Sequence, residues 1–578
     1  MDLIRQQRRE LGEFYTPISI SNKLAKRTII QYILSQLNQP FNVYNNFDQV
    51  IHNVIEESPD ILENIIKNLK ILDCSTGNGR FLQSALEILA DLLTYFKKYS
   101  YSNESNLKEI ILTQILKNNL YGIDINQKAV SECIANLLKY IDPNNRYGLK
   151  KSISHNILTG NFLDLSLQDF KTLFSDDKFQ IILGNPPWGS NLSYQDKNKY
   201  HQIFSIQSSK RNLNIFELFI YQGTKLMDKN KGILAFLLPK NFVRSNQYTH
   251  VRKFLLDNYQ ILTLNFHGLF ENVTQEFISL IARYGHAMDQ EHKILVNDKN
   301  KIEQSIYYAN YDYVFTQNYS SAVQHTLTRI KENSSALSKY MIIKRGEELS
   351  KRGEVMYCPN CKSWVQKSSR KRRIICPACK NVLEEKVLEV QFLISNEWNE
   401  IQNQPILTGD DFEAFFIKNS HYIDPSVQFR SKKDPSIYLS PKLVLQKIKR
   451  YPCAALDVKN VWTTQNVYVL KLKPEYVQNS DLLLYILSIL NSILYKWFYE
   501  TQFNLGSNFT NAISISNLKR LPIKNPNPKN KIYKAIILKT KILFQDNSGN
   551  KKQILEEINN HILEYYDCKT LPPMNNLL

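Results

Sequence analysis

Several things are scarce in these 578 residues. No long uninterrupted apolar run occurs: the most apolar stretch, LLLYILSILNSILYKWF (Leu482 to Phe498), is broken by Ser488, Asn491, Ser492 and Lys496. It falls short of the roughly 20 apolar residues that a membrane span needs, so it reads as a buried helix, and no membrane partner is expected. The N-terminus, MDLIRQQRRELGEFY, has charge but no apolar core, so no export signal is read there. A cytoplasmic, nucleoid-associated location is the expectation. Cysteines number eight, four of them clustered and four scattered (Cys74, Cys133, Cys453, Cys568), which is no disulfide framework. Internal repeats are absent, and so is a convincing acidic-lysine nuclease cluster. The first motif begins at Gly12, so no N-terminal nuclease domain is expected.

What is abundant is positive charge. Lys and Arg total 73 against 54 Asp and Glu, a formal charge of +19, which favours a polyanionic partner such as nucleic acid. From about residue 20 to 300, helical amphipathic stretches alternate with short apolar runs: LKILDCS, NLYGIDI, FQIILGN, GILAFLLP, QILTLNF and FISLIARY. That alternation predicts an α/β fold with a mostly parallel, helix-flanked sheet. Beyond residue 300 the rhythm fades into Tyr-, Asn-, Lys- and Pro-rich sequence. NLKRLPIKNPNPKNK reads as a linker before a final helix near Ile532 to Tyr566.

Three strand ends deliver polar residues. ILDCSTGNGRF turns from a strand through Gly77 and Gly79 into a helix, where free N–H groups face a ligand. The third glycine of the dinucleotide fingerprint is missing. LYGIDIN supplies Asp124, a carboxylate able to accept both hydroxyls of a ribose, and LTGNFLDL supplies Asn161 and Phe162. Together they describe a nucleoside crevice at the carboxyl edge of a parallel sheet.

The stretch FQIILGNPPWGS ends a strand in a turn stiffened by Pro186 and Pro187. An exocyclic base amine is a poor nucleophile because its lone pair is delocalised into the ring. Two acceptors, the Asn185 side-chain oxygen and the Pro186 carbonyl, can bind both amine hydrogens and turn the lone pair toward an electrophile. Trp188 would stack on an extruded base.

Further on, CPNCKSWVQKSSRKRRIICPACK holds Cys358, Cys361, Cys376 and Cys379, two Cys-x-x-Cys knuckles separated by 14 residues. This spacing gives four thiolates access to one structural Zn²⁺. The loop between them carries Lys367, Arg370, Lys371, Arg372 and Arg373, which would either face DNA phosphate or remain solvated.

These motifs, in this order, resemble the gamma-class N6-adenine DNA methyltransferases of restriction–modification systems, the TaqI-like enzymes. The resemblance implies a Rossmann-like S-adenosylmethionine sheet over residues 1–300. An α+β target-recognition domain would follow over 301–525, with a zinc ribbon inserted at about 354–384, and then a helical segment over 526–578. It implies cofactor contacts from Thr16 and Pro17 in GEFYTP, from Asp73, Ser75, Gly77 and Gly79, and from Asp124, Asn161 and Phe162. Asn185-Pro186-Pro187-Trp188 matches the catalytic turn, and FHGLFENVTQEFISLIAR makes Phe270 the second base-stacking aromatic. IKRGEELSK, LLYILSILNSILYKWFYE and ISNLKRLPIKNP resemble the TaqI-like specificity domain. Double-stranded DNA is the implied partner, with a separately encoded restriction endonuclease as the companion activity. Two positions depart from the family: Asn161 stands where Asp is usual, and an Asn accepts from the cofactor's adenine amine only with its amide suitably turned; Trp188 stands where Tyr or Phe is usual. Methylation of cytosine N4, of RNA or of a protein glutamine, and a non-catalytic DNA-binding subunit, are the alternatives. The Pro452-Cys453 pair, far from the sheet motifs, is read as coincidence.

Overall fold

The computed structural model describes residues 16–38, 59–100, 107–174, 178–188, 192–205, 213–269, 276–285, 292–316, 321–367, 373–376, 378–384, 390–427, 432–504, 512–546 and 549–573. The chain divides into two units, Met1–Gln317 and Asn318–Leu578.

The first unit is built on a nine-stranded sheet of order β3-β2-β1-β4-β5-β7-β6-β8-β9. Its strands are β1 (Ile71–Asp73), β2 (Leu120–Asp124), β3 (Ile157–Thr159), β4 (Ile181–Gly184), β5 (Ile233–Pro239), β6 (Tyr259–His267), β7 (Phe277–Tyr284), β8 (Lys293–Val296) and β9 (Asn300–Glu303). From β3 across to β5 every pairing is parallel. Strands β1, β4 and β5 are buried along their whole length, which is why they read as unbroken apolar runs rather than alternating ones. Helix α1 (Ile18–Gln36) joins the same core through Leu24, Ala25, Ile29, Ile33 and Leu34.

The sheet is mostly parallel, with β6 and β8 also pairing in parallel, and its antiparallel pairings all lie beyond β5. There β7 lies antiparallel between β5 and β6. Residues 268–276 are too few for a helical crossover, which takes a dozen or more, so β6 and β7 can pair only as antiparallel neighbours. The unit also runs past residue 300, because β9 completes an antiparallel pair with β8 and the helix Gln304–Ala309 follows it. From β1 the sheet grows one way into β2 and the other way into β4, and a crevice opens at the carboxyl ends where the strand order turns.

The second unit is assembled from small sheets and helices. Its main sheet pairs Met341–Arg345, Val467–Leu472, Lys442–Gln446 and Ala454–Asp457, all antiparallel. The apolar run expected as one helix is two, Ser480–Asn491 and Ile493–Tyr499, with a bend of 59°. Ser492 makes the break, its side chain accepting from the Tyr495 N–H to cap the second helix. Nearly all the large apolar residues of both helices are buried. Among the described residues no single helix is long and apolar enough to cross a membrane; the bent pair meets the criterion jointly. The final helix is likewise two, Lys531–Gln545 and Lys551–Tyr565.

Candidate functional site

At the end of β1 the Asp73 side chain is completely buried. One oxygen accepts the Ser75 N–H at 3.1 Å, and the other, Oδ2, is buried without a partner. Burial pushes this carboxyl up to about 8; the Ser75 N–H opposes the shift and the Asp124 charge adds to it. Asp124, ending β2, is held from two sides: Gly77 N–H donates to Oδ2 at 2.8 Å and Asn126 N–H to Oδ1 at 2.9 Å. A carboxylate has about four acceptor positions, so one such group can take several donors at once. Gly79 sits at φ +84°, and a Cβ there would lie 2.6 Å from Cys133 Sγ, so only glycine lets the loop settle on the helix Gln127–Leu138. Ile125, next to Asp124, is 72% exposed, an apolar side chain left uncovered at the rim of the crevice. Its signal in the sequence was a single apolar letter after a strand-ending acid.

The third strand end behaves differently. Asn161 donates from Nδ2 to Asp164 at 2.9 Å and to the Tyr200 hydroxyl at 3.2 Å, while its Oδ1 accepts the Leu163 N–H at 3.2 Å. Asp164 also accepts from Lys199 at 2.7 Å and from Tyr200 at 2.8 Å. The amide is therefore turned into a local network, and Asp164 is the carboxylate at this edge that sequence reasoning passed over. Phe162, expected among the cofactor contacts, is instead a core residue. It packs against Phe219 and Phe170 with ring centres 5.1 and 5.9 Å away, and 2% of it is exposed. Its place in an aromatic cluster beneath the sheet edge, rather than any feature of the crevice, accounts for the residue type.

Strand β4 brings the proline turn to the same edge. Gly184 has φ +150°, and a Cβ on it would lie 2.9 Å from Asp73 Oδ1, so glycine is what lets β4 end against that carboxylate. One residue later, Asn185 donates from Nδ2 to Thr16 Oγ1 at 3.2 Å, and its Oδ1 is buried without a partner. Thr16 is buried just ahead of Pro17, the N-cap of α1. Trp188 is nearly covered: its indole N–H donates to the Leu237 carbonyl at 3.3 Å and its ring tilts 31° against Phe277, 6.1 Å away. Phe277 in turn stacks on His267 at 4.7 Å and 15°. The sequence flagged neither ring. Phe270 lies outside the described residues. The turn, Asp73, Ser75, Gly77, Gly79 and Asp124 thus converge at neighbouring strand ends, with Thr16 and Pro17 delivered by α1.

In the second unit the four expected thiols meet. Cys358 Sγ lies 3.5 Å from Cys379 Sγ, Cys361 Sγ 3.6 Å from Cys376 Sγ, and all four atoms fall within 4.8 Å of one another. A tetrahedron with metal–sulfur bonds of about 2.3 Å has edges of about 3.8 Å, so the four sulfurs have room for one such ion and no fifth ligand. The knuckles are carried by two strand pairs, Glu354–Cys358 with Ser363–Gln366 and Arg373–Ile375 with Val382–Glu384. Of the basic loop, Arg370, Lys371 and Arg372 lie outside the described residues. The Lys367 N–H donates to the Glu354 carbonyl, and the Arg373 side chain pairs with Glu384 at 2.8 Å across the hairpin. Cys453 is buried in this second unit, and burial pushes its thiol up, away from the reactive thiolate.

Residues 118–270 match the Eco57I restriction-modification methylase family, and residues 404–523 match the TaqI-like C-terminal specificity domain. The chain is 26% identical over 286 residues to the type II methyltransferase M.VspI of Vibrio sp. (strain 343), covering 47% of this chain and 65% of that protein. It is 25% identical over 243 residues to the type II restriction enzyme and methyltransferase RM.Eco57I of Escherichia coli, covering 36% of this chain and 24% of that one. The chain therefore spans less than two thirds of either relative. Among solved structures it shares its fold with the type IIL restriction-modification enzyme MmeI, determined in complex with DNA: TM-score 0.57, 14% identity, 99% of this chain and 78% of that one.

Proposed function

From a chain that carries an Eco57I-type restriction–modification methylase segment and a TaqI-like specificity segment, we propose a site-specific DNA methyltransferase that modifies N6 of an adenine extruded from the duplex. The observation that carries this reading is the pair of unpartnered buried acceptors, Asn185 Oδ1 and Asp73 Oδ2, at two adjacent strand ends. An acceptor with no donor inside the protein costs stability on the order of 1–3 kcal/mol, a cost recovered when a ligand supplies the donor.

Bound S-adenosylmethionine supplies an electrophilic methyl group on a sulfonium. Asp73 suits its cationic methionine end, Asp124 its ribose, and Ile125 the face of its adenine; the chemistry of this donor set fits that molecule. Asn185 Oδ1 takes one hydrogen of the target amine and the Pro186 carbonyl takes the other. With both hydrogens held, the nitrogen lone pair is drawn out of the ring plane toward the donor. Pro186 and Pro187 hold the two acceptors at that spacing. Trp188, whose indole N–H donates to the Leu237 carbonyl, would stack on the extruded base.

In the second unit, Cys358, Cys361, Cys376 and Cys379 would hold a structural Zn²⁺ that braces the two hairpins, and the basic residues from Lys367 to Arg373 would face phosphate. The companion partner is a separately encoded restriction endonuclease, and the location is cytoplasmic. Methylation-sensitive long-read sequencing of DNA from cells expressing the chain tests the reading, beside an Asn185→Ala control. A modified adenine motif seen only with the intact chain is the expected result. Modification at cytosine N4 would overturn the adenine assignment while keeping the amino-methyl chemistry, and no modified motif would overturn the proposal.

A further inference from the structure

The family resemblance assigns Thr16 to the methionine end of the cofactor. The geometry gives it another contact: Thr16 Oγ1 lies 3.2 Å from Asn185 Nδ2, between residues 169 positions apart in the chain. Thr16 is 7% exposed, and Asn185 is half-buried with its Oδ1 covered. A carboxamide has two ends of nearly equal shape and opposite hydrogen-bonding sense. Only the oxygen end can accept from a target amine, since an inverted amide would aim N–H groups at N–H groups. Pro186 stiffens the backbone after Asn185 but does nothing for rotation about the Asn185 side-chain bonds. That rotation is restrained by whatever holds Nδ2, and the hydroxyl of Thr16 holds it.

We infer that Thr16 is a positioning residue for methyl transfer: it anchors the Asn185 amide nitrogen, leaving the carbonyl oxygen presented to the amine of the target base. This rests on the methyl-transfer reading of the turn. Thr16 stands at the entry to α1, whose buried face packs into the core beside β4 and β5.

Thr16→Val keeps the shape and removes the hydroxyl; Thr16→Ser keeps the hydroxyl and removes a methyl. The test measures single-turnover methylation of unmethylated plasmid DNA at saturating S-adenosylmethionine, together with the cofactor's dissociation constant. Loss of one such hydrogen bond should slow Thr16→Val by roughly 2- to 13-fold, with cofactor affinity unchanged and with the rate restored in Thr16→Ser. Weaker cofactor binding with an intact saturated rate would make Thr16 a cofactor contact and overturn the inference, as would a Thr16→Val protein equal to the parent in both quantities.

A second readout needs no turnover. The Asn185 side-chain NH₂ signals, identified by their loss in Asn185→Asp, should exchange with solvent faster in Thr16→Val than in the parent and Thr16→Ser; equal exchange in all three overturns the anchor. If the parent protein methylates no DNA, the functional proposal fails while this exchange measurement still decides the contact.

Discussion

Among the buried oxygens of the first unit that have no partner, those of Asp73 and Asn185 stand at the ends of two paired strands; in the second unit, four sulfurs lie in two pairs at 3.5 and 3.6 Å. Both clusters gather polar side chains that are costly to bury, but only the sulfur cluster is geometrically complete, needing one ion and admitting nothing else. The oxygen cluster is left open, and under the proposed function that opening is where a substrate and a cofactor would sit. Closed polar clusters build a fold, and open ones spend stability on chemistry.

The largest effect expected from that contrast is on the closed cluster. Zinc-thiolate sites contribute folding free energy on the order of 10 kcal/mol. Cys358→Ser should lose one equivalent of zinc by elemental analysis and open residues 354–392 to protease, with the first unit's melting unchanged. Undiminished metal content would show the cluster to be something other than a metal site.

Next comes the open cluster. Asn185→Ala should slow transfer by about 10²- to 10³-fold, the scale for losing one preorganised transition-state contact, while melting temperature and cofactor affinity barely change. Equal losses of activity and stability would mean that Asn185 is structural and that the contrast is false.

A third test turns on protons. Burial pushes Asp73 up to about 8 from an ordinary value of 3.8, so folding favours its protonated form. The stability this gives is fully present below about pH 4 and is lost as pH rises through 8. A cationic ligand restores the charge, so S-adenosylmethionine binding at pH 7 should release close to one proton. Calorimetry in buffers of different ionisation enthalpy should find this release in the parent and not in Asp73→Asn. No release in the parent would remove Asp73 from the cofactor's cationic end.

The smallest effect is electrostatic. Lys367→Ala should lower the salt dependence of DNA binding by about 0.9 in the log–log slope if it neutralises one phosphate. Arg373→Ala should change it less, because Glu384 already pairs with that guanidinium.

How legible these features were depended on how local their cause is. Strands β1, β2, β4 and β5 stood out as apolar runs because they are buried in a parallel sheet, and the four cysteines stood out because two knuckles need only short-range spacing. Strand direction did not show in QILTLNF and FISLIARY, since an apolar run has no polarity; the brevity of residues 268–276 held that information. Asn491 and Ser492 interrupt the apolar run, but a polar interruption does not say whether one helix continues or two meet, and both sides of the bend are buried. Phe162 looked like a crevice residue because its neighbour Asn161 is at a strand end, yet its environment is made by Phe170 and Phe219. The Thr16–Asn185 bond joins residues so far apart that no window along the chain could contain both.

The central claim is that the proline-stiffened turn grips an exocyclic amine beside a methyl donor. It is tested most directly by digesting DNA treated with the purified chain and isotopically labelled S-adenosylmethionine to nucleosides and locating the label by mass spectrometry. Labelled N6-methyladenine, absent with Asn185→Ala, is the predicted result; label on a ring carbon, or no label on duplex DNA of any sequence, would contradict it.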